Sequence, residues 1–230
     1  MPSITLISTI HTQEGLCNAS ALHEILERAR PEVIFMEIPP FCFDQFFKDK
    51  ARSNLETDAV NRYCEGHRAD PVPVDVMEAS SDLIAENQRL CRELRARSRE
   101  YSHLMSANSQ YIAQHGFAYL NSKYCVELWL KVNEEINAAL EKIGNTELIR
   151  GYKTWTDVHE HREQEMMNNI RSYSDAHAFN TGVFLLGAAH RRSIMQKATN
   201  QSGGSSSSIE WNFEDYGELI DGWRDDAAAS

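Results

Sequence analysis

No apolar run in this chain approaches the roughly 18 residues that a membrane-crossing helix requires. The N-terminus enters the short run Ile4-Thr5-Leu6-Ile7 almost at once, without the basic n-region and longer apolar stretch of a secretory signal. A cytoplasmic chain with no membrane span is therefore expected. Cysteine is sparse: Cys17, Cys42, Cys64, Cys91 and Cys125 are scattered and odd in number, which excludes a disulfide framework, a zinc ribbon or a dithiol redox motif. Basic residues are the scarcer sign, 23 Lys and Arg against 34 Asp and Glu, and a formal charge of −11 disfavours nucleic acid as a partner. Phosphate loop, dinucleotide fingerprint and nucleophile-elbow serine are all missing, which removes the commonest nucleotide-enzyme and covalent hydrolase chemistries.

What remains is the pattern of an α/β protein. The length, 230 residues, suits one core, so residues 1–230 are read as a single α/β domain, with a mostly parallel central sheet flanked by helices. After the first apolar run, Leu22, Ile25, Leu26 and Ala29 repeat at helical spacing, with Asn18 or Ser20 as N-cap and Pro31 just beyond the end. The run Val33-Ile34-Phe35-Met36 follows, and the crossover rule makes these first two strands parallel. Pro39-Pro40 breaks the chain, and Leu55, Ala59, Tyr63 and His67 form one helix face before a further run, Val72-Pro73-Val74.

A helical hairpin, residues 79–150, is expected as an insertion. Its first arm runs from Ser80 or Asp82 to Gly116, and its second carries Leu120 to Ile143 and stops at Gly144. The polar faces, dense in Arg and Glu, fit a solvated surface, a lid or a homo-oligomer arm. A helix from about Thr156 to Ser174, a strand Val183–Gly187 and a short helix Arg191–Ala198 follow. Gly203 to Ser208 reads as a flexible loop, Ile209, Trp211 and Phe213 alternate like a half-buried last strand, and Asp225 to Ser230 reads as a frayed tail.

Polar residues stand at the ends of the apolar runs. His11 follows the first, Glu37 the second, Asp75 the third and His190 the last. In a parallel sheet all four emerge at the C-terminal edge, where ligands of open α/β sheets bind. Arg162 shares the apolar stripe Val158, Met166, Ile170, Tyr173 and must therefore meet a carboxylate or a ligand, because an unpaired buried charge is costly. His159 and Glu163 share a helix face four residues apart but lack the spacing of a zinc-protease motif, and they read as solvated or supporting.

Two chemistries fit these residues. His11, His190 and Glu37 could bind a divalent metal with a position open for water, acidifying that water into a nucleophile. Alternatively one histidine, oriented by Glu37 or Asp75, deprotonates water directly, while Arg162 steadies an oxyanion or a substrate carboxylate.

The motifs Ser8-Thr9-Ile10-His11, Phe35-Met36-Glu37, Pro73-Val74-Asp75, Arg162-Glu163-Gln164-Glu165-Met166 and Gly187-Ala188-Ala189-His190 resemble, in order, the landmarks of the TraB, PrgY, GumN and Tiki group within the erythromycin esterase and ChaN-like superfamily. Ser8 departs from the first motif's glycine, and Glu163 stands where the group more often has Asp or Asn. Tiki-like members are metal-dependent proteases using manganese or cobalt, erythromycin esterase-like members open a lactone with histidine-activated water, and ChaN-like members bind haem. The resemblance thus implies a hydrolase of a peptide or small ester. In it His11, Glu37 and His190 hold manganese or cobalt rather than zinc, or poise water directly, and Asp75 and Arg162 support them. The other reading it allows is a haem-, metal- or peptide-binding protein without turnover.

Overall fold

The computed structural model describes residues 1–76, 80–201 and 209–213. The predicted loop from Gly203 to Ser208 and the tail from Asp225 lie outside them. Five parallel strands form one sheet: β1 (Ser3–Thr9), β2 (Val33–Met36), β3 (Asp70–Pro73), β4 (Thr181–Gly187) and β5 (Glu210–Asn212), in the order β3-β2-β4-β1-β5. Side chains alternate across it. Ile7, Ile34, Met36, Val183 and Leu185 face α1 (Ala19–Ala29) and α3 (Leu55–Gly66). Ile4, Leu6, Val33, Phe35, Phe184 and Leu186 face α7 (Thr146–Ala176) and α8 (Arg191–Gln201). Both faces are covered, which is why these strands read as continuous apolar runs.

Local signals set the element ends. The Asn18 side chain accepts from the Ala21 N–H and starts α1, as expected. Pro40 begins the short α2 (Pro40–Phe47), a position where its missing N–H costs nothing. The prolines at 71 and 73 are tolerated in β3 because it is a sheet edge, and Asp75 lies two residues beyond that strand.

The inserted layer differs from the expected hairpin. Its first arm is two helices, α4 (Ser81–Arg97) and α5 (Arg99–Leu120), because Ser98 leaves helical geometry to cap α5. The Ser98 hydroxyl accepts from the Tyr101 N–H at 2.9 Å and donates to Glu135 at 2.7 Å. α6 (Lys123–Ile143) ends at Gly144 in the left-handed conformation, as expected. α7 starts ten residues before the predicted Thr156, since Asn145 caps it there by accepting from the Glu147 and Leu148 N–H groups. The four helices enclose their own apolar cluster, with Leu90, Leu94, Tyr101, Val132, Leu140 and Leu148 buried.

Gly116 was expected to end the first arm. It kinks α5 instead, at φ 54°, and a Cβ there would sit 2.8 Å from the Leu16 carbonyl oxygen. The close approach seats the β1–α1 loop on α5, where the Leu16 N–H bonds the Ala113 carbonyl at 2.9 Å. Among the described residues no helix is long and apolar enough to cross a membrane.

Candidate functional site

Register carries the four predicted strand-end residues to one edge. Thr9 pairs with Gly187 and Met36 with both Leu185 and Pro73, so the chain leaves β1, β2, β3 and β4 side by side. A Cβ placed on Gly187 would lie 3.3 Å from Glu37 Oε2, 3.7 Å from His190 Cδ2 and 3.8 Å from His11 Nε2. Three groups from three strand ends thus converge on one point, and the glycine leaves that point open.

Arg162, buried on α7, answers the question its position on the apolar stripe raised. Its Nε and Nη2 donate to Asp75 at 3.0 and 2.8 Å, a two-point fork, and Nη2 also donates to Glu37 Oε1 at 2.9 Å. Glu37 Oε2 accepts from the Gly187 N–H at 2.7 Å. Burial pushes the Glu37 carboxyl up, yet His190, His11, the Gly187 N–H and Arg162 together hold it below the usual carboxylate range. Arg162 therefore fixes two carboxylates, and neither of the groups expected to orient a histidine, Glu37 or Asp75, bonds His190 Nδ1.

That role falls to Glu163. His190 sits on a 3₁₀ turn (Ala188–His190) directly after β4, and its Nδ1 lies 2.7 Å from Glu163 Oε1. The carboxylate accepts only, so the shared proton sits on Nδ1, and in the neutral ring the lone pair is on Nε2. Burial opposes the charge on Glu163, but hydrogen bonds from His190 and Ser193 hold its carboxyl below the usual range. His190 Nε2 stands 3.6 Å from Glu37 Oε1. His159 stacks on His190 with ring centroids 4.7 Å apart and planes 14° apart. Its Nδ1 comes within 3.2 Å of Nε2, an approach across near-parallel rings that suits stacking better than an in-plane hydrogen bond. Burial and the neighbouring His190 push the His159 imidazole down to about 4, so that ring is neutral near pH 7.

His11 has a partner of its own. Its Nδ1 lies 3.2 Å from Glu56 Oε1, which also accepts from the Thr9 hydroxyl at 2.5 Å. The Glu56 hydrogen bond raises the imidazole of the exposed His11 to about 9 against a partial loss of hydration, so the ring is a cation at neutral pH. Glu56 is 5% exposed, in the first turn of α3, where the helix dipole favours an anion. Its Oε2 is buried without a hydrogen-bond partner.

Sequence reasoning missed Glu56 and ranked Glu163 low. A signal existed for both: Glu56 shares the buried stripe of Val60 and Tyr63, as Glu163 shares that of Met166, Met167 and Ile170. The argument applied to Arg162, that a charge on an apolar stripe needs a partner, applies to each. Ser8 proves compatible with its buried place in β1: its N–H donates to Asn121 at 2.7 Å, and its hydroxyl accepts from Arg191 at 3.2 Å. Arg191 also donates to the Leu6 and Phe213 carbonyls, pinning the turn that carries His190 to the sheet.

The arrangement does not fit a resident metal. Among the described residues no three His, Cys, Asp or Glu side chains are disposed around one ion position. Glu37 Oε1 accepts from Arg162 and Oε2 from the Gly187 N–H. A cation held about 2 Å from Oε1 would stand against the Arg162 guanidinium.

Two cavities meet at the site. A smaller one of about 210 Å³ is lined by His11, Gly187 and His190, and a larger one of about 480 Å³ runs from His190 and Glu163 between the inserted helices. Trp129, Ala189 and His190 line both.

No family model matches the chain, and no curated protein matches it. Among solved structures, it is similar to the erythromycin esterase mutant EreC in its open conformation, with 12% identity and a TM-score of 0.36. The match covers 81% of this chain and 60% of that one.

Proposed function

We propose that this protein is a hydrolase in which His190 activates water to attack a small ester or peptide bond, with no metal required. The observation that carries the reading is the 2.7 Å contact between Glu163 and His190 Nδ1, which leaves Nε2 of the neutral ring as a base 3.6 Å from Glu37 Oε1, beside the point where Glu37 and His11 converge. Among the types in the resembled superfamily, this favours histidine-activated water over the metal-dependent Tiki type, because a cation on Glu37 Oε1 would stand against the Arg162 guanidinium.

Water held beside Gly187 gives its proton to His190 Nε2 as it attacks the carbonyl carbon. Glu163 and Glu37 lie on opposite sides of the ring and stabilise the imidazolium that forms. The oxygen of the tetrahedral intermediate gains negative charge, and the protonated His11 Nε2 on the other side of the opening is placed to donate to it. His190 then returns the proton to the leaving group. Arg162 directs Nε and Nη2 to Asp75 and Glu37 and lines neither cavity, so it acts as a positioning residue, and Asp75 holds it there.

The test is hydrolysis of p-nitrophenyl hexanoate after exhaustive dialysis against a chelator, by wild type, His190→Ala and Glu163→Gln. The wild type should keep its activity, His190→Ala should fall to background, and Glu163→Gln should lose about 10²–10⁴ in kcat, the usual worth of general-base catalysis. Loss on chelation with recovery in manganese or cobalt would overturn the metal-free reading. Equal rates in wild type and His190→Ala would overturn the site.

A further inference from the structure

The larger cavity is a cleft, open to solvent, against the apolar cluster of the helical layer. Its apolar walls come from α4, α5, α6 and α7 and include Leu94, Tyr101, Trp129, Val132, Tyr152 and Trp155. Leu94, Tyr101 and Val132 are at most 4% exposed. The cleft opens to solvent past the exposed Asn133, Thr156 and Gln196, so a ligand can enter it from outside. Its roughly 480 Å³ falls within the range of small-molecule sites, which pair apolar walls with a few convergent polar groups. Those groups lie at one end, where His190, Glu163 and Ser193 stand.

Charge lies at the two ends, with Glu163 beside His190 and Glu160 and Arg192 at the outer one. Glu160 and Arg192 are exposed, and Glu160 is paired with Lys197 at 2.5 Å. Glu163 is engaged by His190 and Ser193. Between the two ends the walls carry no ionisable acid or base other than Cys91, the two tyrosines and the neutral His159. An ionised ligand group placed among them would lose its hydration with no counter-charge.

The geometry points to an ester substrate whose acyl group is uncharged and bulky, an aromatic or medium-chain aliphatic group seated in this cavity, with its carbonyl between His190 and His11. This substrate class rests on the hydrolase reading for its kinetics but not for binding. The shared residues Trp129, Ala189 and His190 set the route: the acyl group passes Trp129 as the carbonyl enters the smaller cavity.

Two variants narrow the cavity without touching the chemistry. Thr156→Trp acts at an exposed position of its lining, which folding tolerates, and Ile136→Trp fills it from half-buried α6. Binding is read with the neutral fluorophore N-phenyl-1-naphthylamine, and turnover with p-nitrophenyl acetate, butyrate, hexanoate and octanoate. Wild type and His11→Ala should bind the fluorophore equally at one site, and Thr156→Trp and Ile136→Trp should weaken it at least tenfold. In the wild type kcat/KM should rise with acyl length by up to about fourfold per methylene, and in both cavity variants that rise should flatten while acetate turnover is kept. No fluorophore binding, or binding unchanged in a correctly folded Thr156→Trp protein, overturns the inference whether or not esters are cleaved. Binding that the cavity variants weaken, in a wild type that cleaves no ester, overturns the hydrolase reading and the ester assignment while upholding an apolar ligand site. If Ile136→Trp does not fold, Thr156→Trp alone decides.

Discussion

Replacing Arg162 by alanine leaves two carboxylates, Glu37 and Asp75, with side-chain exposures of 7% and 1%, facing each other without their shared cation. At contacts of 2.8–3.0 Å and an effective dielectric of about 20, each pairing has a gross Coulomb energy of about 5–6 kcal/mol, most of it offset by desolvation. Removing one partner forfeits the attraction and keeps the desolvation, so Arg162→Ala should lose about 3–5 kcal/mol. Arg162→Lys keeps a charge but not the two-point fork, and should lose about 1–3 kcal/mol. The triple variant Glu37→Gln, Asp75→Asn, Arg162→Met has no charge left to strand and should recover most of the loss while abolishing turnover. Urea unfolding at pH 7, with m-values compared to establish two-state behaviour, measures all three. The Arg162→Ala deficit should shrink on acidification, as the stranded carboxyls take up protons. A deficit under about 1 kcal/mol, or a triple variant no more stable than the single one, would refute the account of Arg162 as the ion-pair centre of the site.

Gly187→Ala should fold with a loss of about 1–2 kcal/mol, because its Cβ must push Glu37 Oε2 back from 3.3 Å while its other contacts are ordinary. It should cost tenfold or more in ester turnover, since that Cβ occupies the point of convergence; unchanged kcat/KM would place the reacting water elsewhere. If protonated His11 stabilises the oxyanion, kcat/KM falls as pH rises through about 9, and Glu56→Gln should bring that limb down towards 6.5. A limb that does not move would detach Glu56 from His11. On the acid side His159, held to about 4 from an ordinary 6.5, stays neutral in the folded state while the unfolded chain takes up its proton. Its contribution is present above 6.5 and is lost as pH falls towards 4. Unfolding midpoints across that window should drop less steeply in His159→Phe than in wild type.

The sequence by itself determined the properties that live within a few residues. The alternation of Val33 and Phe35 against Ile34 and Met36, the Asn18 cap and the apolar stripe through Met166 and Ile170 each follow from the period of one element, and each stands in the structure. Arg162 was recognisable on the same ground, as a charge at a buried period. Short local breaks were harder to read: a serine between two arginines at 97 and 99 does not disclose that its hydroxyl will cap a new helix.

The tertiary structure alone decided which groups meet. Insertion of β4 between β1 and β2, two strands joined through α1, sets His190 beside Glu37 and His11. Arg162 finds Asp75 across 87 positions and Glu37 across 125, while His11 finds Glu56 across 45. Periodicity says that a buried charge must be paired, since desolvation is a property of the place. It cannot name the partner, because strand order and register are settled by the packing of the whole sheet.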